Sequence, residues 1–237
     1  MSSRVLRSCA VLAFALACST ASLVEASPVE SGRNRPVVFL GVGRATTSNP
    51  SPQRFSSVDP TAGYRIGMYL PYRHSRLVGI DVGLTFETRG AVGHATSAGW
   101  GSDPIPFEVE RDFALRYLTI PLRARVPLRQ GRFVPYVTLG PELSVLLNAK
   151  SDVTTVSAGW HRTESQDLTR WADLFSWGAQ ASIGVRQLVN GRPLFLELGL
   201  SRGLEGVGGD DLKVGQIPSG LGEAKTSLLV VAAGVQL

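Results

Sequence analysis

The chain has 237 residues, a formal net charge of +5, 43% hydrophobic and 18% charged residues, and 26 glycines. Ordinary apolar content excludes intrinsic disorder, while a charge content below the roughly 25% of soluble globular chains keeps a membrane class open. Lys150, Lys213 and Lys225 are the only lysines and the arginines are scattered, so the basic total makes no run of the kind that nucleic-acid arms carry, and no nucleic-acid partner is expected.

Arg4 and Arg7 precede an apolar core from Cys9 to Cys18, and small residues follow. That core is about ten residues, half of what a spanning helix needs, so residues 1–26 are expected to be a secretory signal rather than an anchor. Cleavage is expected after Ala26, with Ala21 as the other candidate. Lipidation of Cys18 is disfavoured by Ala15, at a position where lipoprotein signals carry Leu. Both cysteines lie in this segment, so the exported chain would hold no disulfide and would draw its stability from another source, which barrel closure supplies. Residues 27–36 read as a short polar lead-in and residues 37–237 as one barrel domain.

Along that domain, period-two alternation recurs in runs of about ten residues bounded by Gly, Pro and Asn. The predicted strands are Val37 to Ala45, Ala62 to Pro71, Leu77 to Thr88, Phe113 to Pro127, Phe133 to Leu147, Leu174 to Leu188, Pro193 to Ser201 and Lys225 to Leu237. Short turns fall at Tyr72–Arg76, Leu128–Arg132 and Val189–Arg192, the last carrying an Asn-Gly hairpin dipeptide. Between them lie long polar loops at Thr46–Thr61, Arg89–Asp112, Asn148–Asp173 and Arg202–Ala224. Strict alternation of long and short connections in an even-stranded meander predicts an all-β fold, an eight-stranded antiparallel up-and-down transmembrane β-barrel of outer-membrane type. Short turns and both chain ends would then be periplasmic.

Parity assigns the faces. Leu118, Ile120, Leu122, Ala124 and Val126 oppose Thr119, Arg123 and Arg125 on the fourth run. Val137, Leu139, Leu143, Val145 and Leu147 oppose Tyr136, Thr138, Glu142 and Ser144 on the fifth. A soluble periplasmic lipid-binding barrel would turn the aliphatic face inward, but the polar face is poor in Lys and rich in small residues, which suits a crowded interior better than a soluble exterior. The predicted lumen collects Arg65, Asp81, Glu87, Arg123, Arg125, Glu142, Arg186 and Glu197, four charges of each sign. An eight-stranded interior is only wide enough for side chains, so these are expected to form an ion-pair network that plugs the barrel, with Glu142 against Arg123 or Arg125.

Two segments resemble a known family. Arg116–Val126 (RYLTIPLRARV) followed by Val134–Leu147 (VPYVTLGPELSVLL) looks like the central hairpin of the outer-membrane β-barrel domain family, the small porin-family, PorT-type barrels. Tyr117, Leu118, Ile120, Pro121 and Leu122 match its first strand, and Pro135, Tyr136, Gly140 and Pro141 its second. Phe195–Gly203 and Thr226–Leu237 are similar to its last two strands. The resemblance implies an outer-membrane barrel with outer-membrane lipid around it and the barrel-assembly machinery as a partner during insertion, and it carries no catalytic residues. Members of that family usually end in an aromatic residue, whereas this chain ends in Leu237.

Chemistry elsewhere is sparse. His74 falls in a short turn and His94 and His161 in long loops, and a pairing of either loop histidine with Ser97 or Glu164 lacks any nucleophile motif. His161 and Glu164 do not have zinc-site spacing, and Asp210–Asp211 follow no calcium-loop pattern, so no metal or cofactor is expected. Trp100, Trp160, Trp171, Trp177, Tyr64, Tyr69 and Tyr117 are expected to form an interfacial belt. The expected role is structural or surface-interacting, through the outer loops and an extracellular ligand of unknown identity. A lipid-modifying barrel enzyme is the alternative.

Overall fold

Period-two alternation suits a strand with lipid on one face and a packed interior on the other, and it runs through the computed structural model, which describes residues 35–48, 57–74, 78–98, 106–129, 131–157, 159–170, 172–189, 191–207 and 225–237. The expected signal and most of the lead-in lie outside the described residues. The strands are β1 (Val37–Thr47), β2 (Ser57–His74), β3 (Gly79–Ala98), β4 (Pro106–Pro127), β5 (Phe133–Ser157), β6 (Trp160–Asp167), β7 (Phe175–Val189), β8 (Arg192–Gly203) and β9 (Thr226–Gln236). All pairings are antiparallel. Eight strands close into a barrel: β1 pairs with β2 and β9, β4 pairs with β5, and β5 passes directly to β7. Closure leaves the barrel wall no open edge.

The ninth strand was not expected. β5 pairs with β7 only from Phe133 to Val145, and beyond that point Lys150–Ser157 pairs with β6 as an upright hairpin. The predicted loop 148–173 therefore contains the end of β5 and all of β6. The predicted loop 89–112 likewise contains the end of β3 and the start of β4, paired from Arg89↔Leu115 to Ala98↔Pro106. β3, β4 and β5 hold 20, 22 and 25 residues, where about 9–11 suffice to cross a membrane. Their surplus stands beyond the barrel at the long-loop end.

The hydrophobic face switches sides at the boundary. On β4 the outward residues from Val126 to Leu118 are apolar, and Arg116, Asp112, Glu110 and Glu108 follow on the same face. Inward, Arg125, Arg123 and Thr119 give way to Tyr117, Leu115 and Phe113, all buried. From Leu118 to Val126 the strand runs about 26 Å, or about 20 Å once tilted, close to the height of a barrel's apolar band. Below the switch the sheet is built for lipid; above it, for water with a core inside. At the opposite end, Val189↔Arg192 closes a two-residue hairpin in which Gly191 has φ 76°, left-handed backbone that glycine adopts without strain.

Candidate functional site

Two clusters of charge fill the barrel. In the one nearer the long loops, Arg65 Nη2 lies 2.8 Å from Glu87 Oε2, and Arg89 Nη2 lies 2.9 Å from Glu87 Oε1 and 2.6 Å from Glu142 Oε1. Thr119 donates to Glu87 (2.5 Å) and Ser201 to Glu142 (2.5 Å). Arg89 also donates to Ser201 and Thr226, and Arg65 to Gln180. These side chains come from seven of the eight barrel strands, all but β1, so the cluster ties the wall to itself across the lumen. Two arginines face two glutamates, and the Thr119 and Ser201 hydroxyls each donate to one carboxylate, while Glu142 Oε2 accepts no hydrogen bond and lies 3.9 Å from Arg65 Nη2. Buried ions need both pairing and hydrogen bonds to offset their desolvation.

The second cluster lies nearer the short turns. Arg123 Nε meets Asp81 Oδ2 at 3.1 Å and Nη1 meets Glu197 Oε1 at 3.0 Å. Arg125 Nη2 approaches the same Asp81 oxygen at 2.6 Å, and Tyr136 donates to Glu197 at 3.0 Å. The Arg123 guanidinium lies 3.4 Å from the Tyr69 ring centroid, and Tyr69 in turn stacks on Phe39 at 4.6 Å and 7°. Glycines make this density possible. A Cβ on Gly83 would come within 2.5 Å of the Tyr69 ring, and one on Gly178 within 2.7 Å of Glu142 Oε1. A cavity of about 20 Å³ remains beside Phe39, Tyr69, Tyr136 and Phe195, room for about one water.

Above the first cluster, the inward faces of β4 and β5 supply Phe113, Leu115, Tyr117, Leu146 and Ala149 to an apolar cap. Leu168 and Val207 reach into it from the connections after β6 and β8. Leu168 is pinned by its N–H on the Ala149 carbonyl (2.8 Å) and by the adjoining turn, in which the Thr169 N–H donates to Asp167 Oδ1 (2.9 Å). Hydrogen bonds from Thr169 hold the Asp167 carboxyl below its usual range. The Asp173 N–H donates to the Val207 carbonyl (2.9 Å) and joins the two connections.

A closed eight-stranded wall, an outward aliphatic band and long loops at one end agree with one sequence family. The profile described as "Outer membrane protein beta-barrel domain" matches residues 31–207. The chain belongs to this outer-membrane barrel family. No curated protein matches it in sequence. Among solved structures it is similar to Neisserial surface protein A, at 15% identity and a TM-score of 0.42, covering 85% of this chain and 97% of that one. It is also similar to the attachment invasion locus protein Ail of Yersinia pestis, at 9% identity and 0.39, covering 86% and 99%. For OprG of Pseudomonas aeruginosa the values are 13% and 0.35, covering 86% and 95%.

Of the eight charges expected in this family member's lumen, the structure brings seven into the two clusters. Arg186 stands apart: it is half-buried at the short-turn end near Arg125, without a carboxylate partner among the described residues. Glu142 pairs with Arg89 and Arg65, not with Arg123 or Arg125 as expected, because those lie toward the short turns beside Asp81. Arg89 is the residue the sequence reading missed. Its position two residues beyond Glu87, on the same parity, was the available signal.

The other candidates separate. His94 is on β3, with Nε2 3.2 Å from Asp59 Oδ2 and Nδ1 3.9 Å from Glu110 Oε2, on the outward face beyond the band. His74 ends β2, His161 is exposed on β6, and Glu164 pairs with Arg162 at 2.5 Å. The side chain of Ser97 and residues Asp210 and Asp211 lie outside the described residues. No group of three His, Cys, Asp or Glu placed to hold a metal occurs among the described residues. The belt expectation fails for Tyr69 and Tyr117, which are buried inside the barrel. Trp160 sits beyond the band on β6, and Trp100 and Trp171 lie outside the described residues. The exposed outward aromatics of the barrel wall are Tyr64 and Phe175 toward the long loops, and Tyr72 and Phe133 toward the short turns; Trp177 and Phe86 are half-buried on the outward faces of β7 and β3.

Proposed function

We propose that this outer-membrane barrel conducts no solute and serves the envelope as a structural or surface-interaction protein, presenting its long-loop end outside the cell. The observation that supports this reading most is the Arg65–Glu87–Arg89–Glu142 cluster. It draws side chains from seven strands into a lumen that eight strands leave just wide enough for side chains. The apolar cap around Leu168 and Val207 adds a second obstruction above it. What remains available to a partner is the sheet beyond the band, where β5 and β6 stand clear and every residue of β6 is exposed. In this reading the chain is exported by its N-terminal signal, inserted by the barrel-assembly machinery, surrounded by outer-membrane lipid, and meets an extracellular ligand through that sheet. The test is proteoliposome swelling in small sugars. Vesicles carrying the folded protein should swell no faster than empty ones, and porin-like swelling would overturn the reading.

A further inference from the structure

The three short turns carry charge of one sign. They read YRHSR (72–76), LRQGR (128–132) and VNGR (189–192), with five arginines, one histidine and no Asp or Glu. Arg35 precedes β1 at the same end. None of the three lysines falls in these turns: Lys150 is on β5 beyond the band, Lys225 immediately precedes β9, and Lys213 lies in the sequence between β8 and β9, outside the described residues. Arg35, Arg129, Arg132 and Arg192 are exposed and make no ion pair among the described residues. The neighbouring carboxylates, Asp81 and Glu197, face the interior and are already held by Arg123, Arg125 and Tyr136.

These cations adjoin the lower margin of the lipid-facing band. Leu128 precedes Arg129, Phe133 follows Arg132, and Leu194 comes two residues after Arg192; all three apolar side chains are exposed. An arginine so placed lays its methylenes on the apolar margin and holds its guanidinium at headgroup depth. The four positions are also spread around the barrel. Among the described residues the start of β1 and the β4–β5 and β7–β8 turns each contribute arginine, three separate places on the rim, which makes a ring rather than a single face. A ring matches the annulus of lipid; a soluble polyanion would need one contiguous face.

We propose that this arginine ring binds the phosphates of anionic phospholipids in the leaflet that meets the short turns. In the orientation proposed above, that is the periplasmic leaflet.

The test uses the full barrel in nanodiscs of equal phosphatidylglycerol and phosphatidylcholine, with the lipids retained on the protein counted by native mass spectrometry. The wild type should retain phosphatidylglycerol over phosphatidylcholine by roughly fivefold per arginine site, less so as salt rises. The triple variant R129Q/R132Q/R192Q should lose most of that preference, and R129K/R132K/R192K should keep most of it. A gel shift between unboiled and boiled samples confirms that each variant is folded. Equal retention of the two lipids by the wild type would overturn the proposal, as would a preference unchanged in the glutamine variant or lost equally in the lysine variant. Arginine-dependent sedimentation with isolated peptidoglycan, without lipid preference, would overturn it too and assign the ring to the cell wall.

Discussion

Arg89 on β3 and Glu142 on β5 meet across the lumen, Nη2 to Oε1 at 2.6 Å, with both side chains almost wholly buried. Removing the carboxylate leaves Arg65 and Arg89 sharing Glu87 alone. Glu142→Ala should therefore destabilise the folded barrel by about 3–5 kcal/mol in urea unfolding. Arg89→Ala should cost a similar amount, and the double variant should cost less than the sum of the two. Strict additivity would show that the pair is not coupled.

Gly83 leaves room for the Tyr69 ring, which carries Arg123 on one side and Phe39 on the other. Gly83→Val would push into that stack and against Pro121. A loss of about 1–3 kcal/mol is expected, together with altered near-ultraviolet circular dichroism from the displaced tyrosine. An unchanged spectrum and stability would mean the interior is looser than described.

The cap and the ion pairs are separate obstructions. Leu168→Asp places an unpaired carboxylate among Phe113, Leu115 and Leu146, at a cost that the acid avoids by leaving the cap. Limited proteolysis should then cut the connection after β6 faster, while the gel shift of the folded barrel persists. Equal protection of variant and wild type would show that Leu168 does not hold the cap.

Orientation follows from loop length. A cysteine replacing Ser157, at the end of β5, should react with a membrane-impermeant maleimide on intact cells, whereas one replacing Arg132 should react only after the outer membrane is permeabilised. The reverse pattern would invert the topology.

The barrel and its inward charges were legible because alternation holds without a break through the lipid band: Asp81 and Glu87 share one parity on β3, and Arg123 and Arg125 share one on β4. Beyond the band the sequence resembles loop because the apolar face changes sides there. Glu108, Glu110 and Asp112 occupy the parity that Leu118 and Leu122 occupy lower down, so an outward run of acids on a strand resembled a polar connection. Arg89 was lost for the same reason, one residue past the predicted end of its strand. Tyr69 and Tyr117 were assigned to the interface by residue type, whereas their parity, shared with Arg65 and Thr119, points inward. The short strand β6 is polar apart from Trp160 and exists because β5 outruns β7 and needs another partner.

The central claim is that side chains close the lumen, and single-channel recording of the wild-type barrel in planar bilayers tests it most directly. The account predicts a baseline without large steady steps, since the two clusters and the cap leave no continuous water path through eight strands. Stable steps of porin size from the folded, gel-shifted species would contradict it and show that the interior is an aqueous channel.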